Sequence, residues 1–565
     1  MKSFEQKIFP YLLLAPTMII FGLFLFFPAL NGLWISLTKW DGVNPQVFVG
    51  VKNYVTLFGD KSFWNSFVRT LIFTLVSVPS VYVAALGLAV LLTGGIRGSN
   101  FFRAVFYWPT MISTIIVGLT WRFLLGEDFG LVNYLLTAMD RTPVKWLTDP
   151  NNAMGVVIFV TVWSMAGYYM VMFVSGIKAI SETYYEAARI DGAGAWQQFR
   201  FITLPLLKPT SLLVLVLSTV SIIKTYPLVY SLTQGGPAGA TKFMVQMIQE
   251  TGFEKNKMGY ASAMTMALFL ILALFTIIQF KLIREVSRMQ TKTKKICTEG
   301  LKWILLLVLT FLFLMPVVWV ICSSFKSVGE LFSWPPSLLG KNPSLDNYTK
   351  AMAEGHFGIY FFNTVFVSLV ATFLTIVVNV MSGYAFAKYH FKGDKILFGI
   401  VLATLMVPLE VIMIPIFKVI VATHLYNNLW GLIIPAVASP TAVFLVRQYY
   451  VGIPDAYMEA ARIDGASEFN ILLKIMLPMA KPVISVLCIF SFMWRWNDYL
   501  WPKLVINGKE RYTIQLALAN YSGEYSVDWN SLLAMSVISM IPVIIVFVTL
   551  QKYIIGGMTA GGVKE

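Results

Sequence analysis

Charge is what this sequence has least of. Asp, Glu, Lys and Arg make up 13% of its 565 residues, against roughly a quarter in a soluble domain. Hydrophobic residues make up 57%, and the mean hydropathy is +0.72. That excess is too large for one globular core and is what a lipid-facing surface requires, so the class is a polytopic membrane protein. Cysteine is scarce too: Cys297, Cys322 and Cys488 stand apart, without metal or disulfide spacing, and each reads as a small apolar residue. His356, His390 and His424 are far apart, so no metal site is expected. The Gly-Lys pairs at 340–341 and 508–509 lack the upstream glycine spacing and the following hydroxyl of a phosphate loop. There is no nucleophile elbow and no His-Glu-x-x-His. No catalytic residue is assigned, no bound cofactor is expected, and the chain is not expected to hydrolyse ATP. The formal charge of +15 comes from Lys and Arg in short breaks between apolar runs. That is the pattern of positive cytoplasmic loops and not of a nucleic-acid surface.

A span needs about 20 mostly apolar residues. Twelve stretches meet that test, at 10–37, 64–93, 101–125, 153–178, 207–232, 259–283, 300–324, 359–387, 396–421, 429–450, 480–501 and 531–555. In lipid they must be helices, because each backbone N–H and C=O needs an internal partner. The first is read as a span and not a cleaved signal peptide, because its apolar run is too long. Pro16, Pro28, Pro109, Pro316, Pro408, Pro415, Pro435 and Pro440 fall inside these stretches; neighbouring groups in a bundle can satisfy the carbonyls they free. The basic stretch 281–295 joins the sixth and seventh spans, which places it and both chain ends in the cytoplasm, with 94–103 and 388–395. The segments 38–63, 126–152, 325–358 and 502–530 fall outside.

An internal repeat organises the chain. Residues 184–193 read YYEAARIDGA and residues 457–466 read YMEAARIDGA. Glu459 lies 273 residues after Glu186, and the same offset relates Pro205 to Pro478, Lys208 to Lys481 and Pro209 to Pro482 without a gap. Both copies precede the fifth span of their half on the same side, so the halves, 1–290 and 291–565, are parallel repeats of six spans. The join lies near 285–299, in a natural fusion or two subunits joined. Within each copy, the loops 181–209 and 454–482 read as a short helix, a turn at Gly192 or Gly465 suited to the left-handed region, and an amphipathic segment ending at Leu-Pro. Ser181, with Glu182, and Pro454-Asp455 supply the helix starts.

At these residues the sequence resembles the bacterial ABC importer permeases. Their signature is Glu-Ala-Ala, three residues, Gly, nine residues, then Ile-x-Leu-Pro. It is met by Glu186-Ala187-Ala188, Gly192, Ile202 and Leu204-Pro205, and again by Glu459-Ala460-Ala461, Gly465, Ile475 and Leu477-Pro478. LVYSLTQGGPAGAT (228–241), WRWNDYLWPKLVI (494–506) and GGMTAGGVKE (556–565) resemble the carbohydrate-uptake branch, the first half one subunit type and the second half its partner. The resemblance implies an all-α type I importer permease fold. It implies that Glu186, Ala187, Ala188, Arg189, Asp191 and Gly192, with Glu459, Ala460, Ala461, Arg462, Asp464 and Gly465, form coupling helices. These would dock on two copies of a cytoplasmic ATPase subunit, which hold the ATP and Mg. A solute-binding protein would sit outside a bacterial inner membrane. The transported solute would be a sugar or oligosaccharide; a glycerol-phosphate-type anion and a secondary transporter of six plus six spans are the alternatives.

Polar residues inside spans are the candidates for the solute path. Lys224, Tyr226 and Tyr230 lie in the fifth span; Trp494, Arg495, Trp496, Asn497 and Asp498 lie in the eleventh; Lys224 and Asn497 are repeat partners. Trp163, Tyr168 and Tyr169 offer stacking faces in the fourth. Tyr499 and Trp501 read as an interfacial belt. No chain of intramembrane acids for proton transfer is evident.

Overall fold

The computed structural model describes residues 4–94, 96–285, 299–353, 355–405, 409–521 and 527–560. The expected join around 286–298, with Cys297 and most of the basic stretch, lies outside the described residues, as do Pro408 and 561–565.

The fold is all-α, and among the described residues the only strands are the short antiparallel pair Thr38–Lys39 and Val47–Phe48. Eight helices are long and apolar enough to cross a membrane, and four bent helix pairs raise the number to twelve if each is one span. Five stretches expected to be single helices are broken or angled, among them 429–450, where Trp430–Val437 stops and Pro440–Val451 resumes. Ser99–Met111 and Thr114–Leu124 meet at 97°, and Asp394–Thr404 and Leu409–Ala422 at 105°. Lys208–Ile223 stops at Lys224 and resumes as Tyr226–Thr233; Lys481–Trp496 stops at Asn497 and resumes as Leu500–Val505. Proline alone does not cause these breaks: Pro16, Pro109, Pro316, Pro415 and Pro435 sit inside helices.

Helix starts follow their caps. The Asp60 carboxylate accepts from Ser62 N at 2.8 Å to begin Lys61–Thr93, and its other oxygen accepts from the Tyr260 hydroxyl at 2.8 Å, tying the second span to the sixth. Asp149 accepts from Asn151 N at 2.8 Å ahead of Pro150, which opens Pro150–Lys178. Buried Asn379 serves a break in its neighbour, donating to Val437 O at 2.7 Å and accepting from Ser439 N at 2.9 Å.

The repeat runs further than the motif that revealed it. At the end of the first span Asn53 Nδ2 donates to Ser36 O and Thr38 O, both at 2.8 Å; Asn347 Nδ2 donates to Ser324 O and Lys326 O, again at 2.8 Å. The neighbouring tyrosines do likewise, Tyr54 bonding Ser36 at 2.7 Å and Tyr348 bonding Ser324 at 2.6 Å. Thr70 Oγ1 accepts from Met244 N, and Thr364 Oγ1 accepts from Ile514 N. Asn53 and Asn347, Tyr54 and Tyr348, and Thr70 and Thr364 are each 294 residues apart, not 273. The difference is an insertion in the first half that contains the helix Leu131–Ala138. Asn133 pins that insertion, accepting from Val144 N and Trp146 Nε1 and donating to Glu127 O and Val144 O.

The halves exchange their first spans. Phe4–Phe21 lies against the second half: Thr17 Oγ1 donates to Val378 O, the Tyr11 hydroxyl donates to Lys392 O at 3.1 Å, and the Tyr11 ring meets Phe391 edge-on at 5.1 Å. Glu299–Ser323 lies against the first half: Trp303 meets Phe102, Phe313 meets Phe106 at 5.1 Å, and Trp163 Nε1 donates to Leu312 O. Inside the first half Ser99–Met111 packs on Pro150–Lys178 at Gly167, where an added Cβ would stand 1.9 Å from the Phe106 carbonyl oxygen. Backbone on backbone leaves no side chain to yield. Gly167→Ala is therefore expected to lower stability by about 2 kcal/mol, read as the midpoint of thermal unfolding in detergent. An unchanged midpoint would mean that the two helices are not this close.

Candidate functional site

Two surface loops and one inter-half axis contain the repeated motif and the residues Lys224, Tyr226, Tyr230 and Asn497 singled out in the sequence. In the first loop the helix Glu182–Ile190 is followed by Gly192 at φ +75°; in the second, Ala456–Ile463 is followed by Gly465 at φ +79°. Both ends close in the same way. Ala193 N donates to Ala188 O at 2.8 Å and Gly192 N to Arg189 O at 3.1 Å, while Ala466 N donates to Ala461 O at 2.9 Å and Gly465 N to Arg462 O at 3.1 Å. This double closure needs a left-handed residue, which is why glycine stands at both turns. Each loop then continues through a π turn, Phe199–Thr203 or Leu472–Met476, immediately before Leu-Pro. Pro205 and Pro478 have no N–H to donate back into that turn. The segment meets the next helix at 68° in the first copy and 77° in the second.

On both short helices the outer face is open. Glu186, Ala187, Glu459 and Ala460 are exposed, and Ile190 and Ile463 are 87% and 85% exposed, bare apolar tips beside the glycine turns. Asp191 and Asp464 are exposed beside them, and Ala461 instead faces inward. The Ser181 side chain, expected as a cap, makes no capping bond, and the helix-start acid Asp455 accepts from Lys388 Nζ at 2.6 Å. Arg189 pairs with Glu182 on its own helix, whereas Arg462 turns inward to Glu468.

The axis is assembled from repeat partners. Lys224 and Asn497 are both the residue at which a fifth-span helix stops, and each reaches the broken third span of the opposite half. Asn497 Nδ2 donates to Met111 O at 3.0 Å, a carbonyl at the bend before Thr114. Lys224 Nζ stands 3.7 Å from Glu410 Oε2, in the first turn after the matching bend. A cavity beside Asn497 is lined by Trp108, Met111, Ile112, Ser113, Ser539 and Met540 among others. The Trp108 indole N–H has no acceptor among the described residues.

One turn further along, Tyr226 and Tyr230 face their own repeat partners, Tyr499 and Lys503. Tyr499 lies 6.1 Å from the Tyr226 ring and 6.0 Å from Tyr230. Lys503 Nζ donates to the Tyr226 hydroxyl at 2.8 Å and sits 4.5 Å above the Tyr230 ring. Glu254 approaches the same ammonium at 4.0 Å.

The remaining candidates lie away from the cavity in this structure, and one expectation, the interfacial belt, is corrected. Trp163 is buried against Trp121 and Phe313, and Trp496 is fully buried between Phe361 and Phe492 with its N–H donated to Ser539 O; both pack in the core of this structure. Trp494 is half exposed on the outer face, stacked on Phe490 and turned from the axis by helical periodicity. Asp498 is held by Arg495 at 3.4 Å and by Trp501 N, within its own turn. Tyr499 and Trp501 are not an interfacial belt: both are buried, and Trp501 Nε1 donates to Gly431 O. Tyr169 is buried, with its hydroxyl on Ser221. Glu410 and Lys503 escaped the sequence reading. The 273-residue offset applied to Tyr230 would have found Lys503; no sequence signal marked Glu410, a lone acid in an apolar run.

Comparison with known proteins gives a family. The family model described as "Binding-protein-dependent transport system inner membrane component" matches residues 54–288 and 376–559. The arabinooligosaccharides transport system permease protein AraQ of Bacillus subtilis (strain 168) is 40% identical over 261 residues, 46% of this chain and 93% of that protein. The probable starch degradation products transport system permease protein AmyD of Thermoanaerobacterium thermosulfurigenes is 34% identical over 50% of this chain and 97% of its own. The sn-glycerol-3-phosphate transport system permease protein UgpA of Brucella abortus biovar 1 (strain 9-941) is 33% identical over 50% of this chain and 97% of its own.

The cross-half ion pair is testable at once. Lys224→Met leaves the Glu410 carboxylate without its partner in an apolar setting and is expected to cost about 2 kcal/mol, below the roughly 3–5 kcal/mol of a fully buried pair because Lys224 is partly exposed. Adding Glu410→Gln should restore most of the loss in thermal unfolding. Strictly additive effects would mean that the two groups do not interact.

Proposed function

As the chain belongs to the family of binding-protein-dependent transport system inner membrane components, we propose that it is the complete membrane pore of an ATP-driven sugar or oligosaccharide importer, with both permease halves, 1–290 and 291–565, in one polypeptide. Family membership removes the secondary-transporter alternative and implies partner subunits that bind ATP with Mg and a partner that delivers solute. The finer assignment is two copies of one ATPase, one on each surface loop. The observation that carries it is the pair of exposed helices, Glu182–Ile190 and Ala456–Ile463, built alike and ending in the same glycine closure. Each offers an exposed alanine, a glutamate and a bare isoleucine tip, the chemistry of a knob for an apolar groove with a polar rim. These loops, both chain ends and the basic join are assigned to the cytoplasm, and the solute-binding protein to the opposite face.

The solute path is assigned to the inter-half axis, with Lys224, Asn497 and Trp108 along its wall and the box of Tyr226, Tyr230, Tyr499 and Lys503 closing it. ATP binding would draw the two docking loops together, part the halves along this axis and open the box; hydrolysis would reset it. The ATPase can drive this only by its differential affinity for the two arrangements. Tyrosine faces and amide or ammonium donors suit the apolar faces and hydroxyl edges of sugar rings, and AraQ and AmyD point the same way. UgpA and the two lysines favour a second reading, a glycerol-phosphate-type anion. Lys224 already faces Glu410 and Lys503 faces Glu254, so neither cation is left uncompensated, and the neutral sugar is preferred.

The test is ATP-dependent uptake in proteoliposomes with ATPase and binding protein supplied, comparing labelled oligosaccharide with sn-glycerol 3-phosphate. Glu186→Ala with Glu459→Ala is expected to abolish most uptake and weaken ATPase association with the fold intact. Full uptake by that variant would remove these glutamates from the interface, and uptake without any ATPase would overturn the reading.

A further inference from the structure

The two docking loops share a backbone but are mounted differently. In the second loop Arg462 makes two bonds to Glu468, at 2.8 and 3.1 Å, and the Tyr389 hydroxyl donates to the same carboxylate at 2.5 Å. The Glu468 side chain is only 7% exposed. Tyr389 ends the long helix Phe357–Lys388, and Lys388, the last residue of that helix, reaches Ile453 O and Asp455. Met458 and Ala461 on the docking helix are buried, and with Ile471, Leu472 and Met476 they share one apolar core with Leu13, Leu14 and Tyr384. The Phe9 ring of the exchanged N-terminal helix meets Tyr389 at 5.9 Å. The second docking helix is thus bolted to the membrane body through a desolvated carboxylate that takes three donors. Those bonds hold the Arg462 guanidinium above its ordinary pKa, and burial raises that of Tyr389.

The first loop has different parts at the same places. The position of Glu468 is occupied by Ala195, and residues 88–97, at the corresponding helix end, contain neither tyrosine nor lysine. Arg189 turns to exposed Glu182 on its own helix. Tyr185 to Thr203, Gln198 to Ala193 O and Gln197 to Gly194 N all run within the loop. None of the side chains of Glu182–Ile190 is buried.

We propose that Glu468 is a positioning residue that makes the second loop a rigid lever, while the first loop is a compliant mount, so that the ATPase stroke enters the membrane domain chiefly through the second half and the N-terminal helix packed on it. This rests on the reading that both loops dock an ATPase. A carboxylate accepting a guanidinium and a phenol out of water fixes the angle between the docking helix and the following segment, because each donor would lose its acceptor if the angle changed. The first docking helix meets its following segment through the neutral Tyr185–Thr203 hydroxyl bond at 2.9 Å, weaker than a charge-assisted one and cheaper to bend.

Hydrogen exchange on the full chain in lipid nanodiscs, with no ATPase present, tests the mounting. Backbone amides of 456–466 are expected to exchange about tenfold more slowly than those of 183–193, a ratio that corresponds to one extra anchoring interaction. Glu468→Ala should bring the second loop to the rate of the first, and Glu468→Gln, which keeps an acceptor, should recover part of the protection. Ala195→Glu should slow the first loop by drawing Arg189 away from Glu182, and it needs no buried group removed. With ATPase and binding protein added, Glu468→Ala should bind the ATPase as the parent does but move fewer solute molecules per ATP hydrolysed, a ratio that simple loss of folded protein would not alter. Equal exchange in the two parental loops, or an unchanged transport-to-ATP ratio in Glu468→Ala, overturns the proposal. Failure of the parent to bind an ATPase overturns the docking reading instead and leaves the exchange contrast standing.

Discussion

A helix that stops inside a membrane frees carbonyls and amides that lipid cannot satisfy, and the architecture follows from how this chain meets that demand. Two spans in each half stop and restart near the inter-half surface, and the broken pieces of one half are served by the other. Asn497 supplies a donor to the Met111 carbonyl at a bend in the first half. At the matching position Lys224 meets Glu410 beside the bend of the second half. These two contacts make the halves interdependent: the irregular backbone of each is tolerable where the partner stands against it. They also place polar groups along the line where the halves meet, which is where a path for a polar solute is proposed.

The exchanged first spans reinforce the same dependence. The N-terminal helix packs on Phe357–Lys388 and the seventh span on Ser99–Met111, so neither half closes a core alone. The pseudo-symmetry that results is strict where backbone geometry is concerned and loose where chemistry is concerned. The asparagine and tyrosine that close the first span, the threonine that anchors the returning segment, and the glycine closures of the docking loops recur with nearly identical distances. Lys503 opposes Tyr230, Asn497 matches Lys224, and Glu468 matches Ala195. Each of these three differences places charge on one side of an otherwise matched arrangement.

Membrane class, the approximate position of all twelve stretches, the parallel repeat and the two helix-and-glycine-turn loops were legible in the sequence, because hydrophobic length and a repeated ten-residue string are local properties. The left-handed glycines at 192 and 465 were legible for the same reason, since a helix end of this kind needs that residue whatever surrounds it. Rotation about the helix axis was not legible. Trp494 and Trp496 are two residues apart, and one faces outward while the other is enclosed. Identity alone gives an aromatic ring the same claim to a cavity wall, a lipid belt or a core, and Tyr499 and Trp501 were misjudged on that account.

By itself, then, the amino-acid order determined that the chain crosses a membrane many times, that it is a duplicated unit, and that each unit presents one short exposed helix ended by a glycine turn. Tertiary structure decided where spans break, which residues meet across the halves and how firmly each docking loop is held. Those outcomes depend on partners hundreds of residues away: Glu410 for Lys224, Met111 for Asn497, Tyr389 for Glu468. A helix break becomes favourable only when something distant satisfies it, so the sequence around the break carries half of the information and the opposing half of the molecule carries the rest.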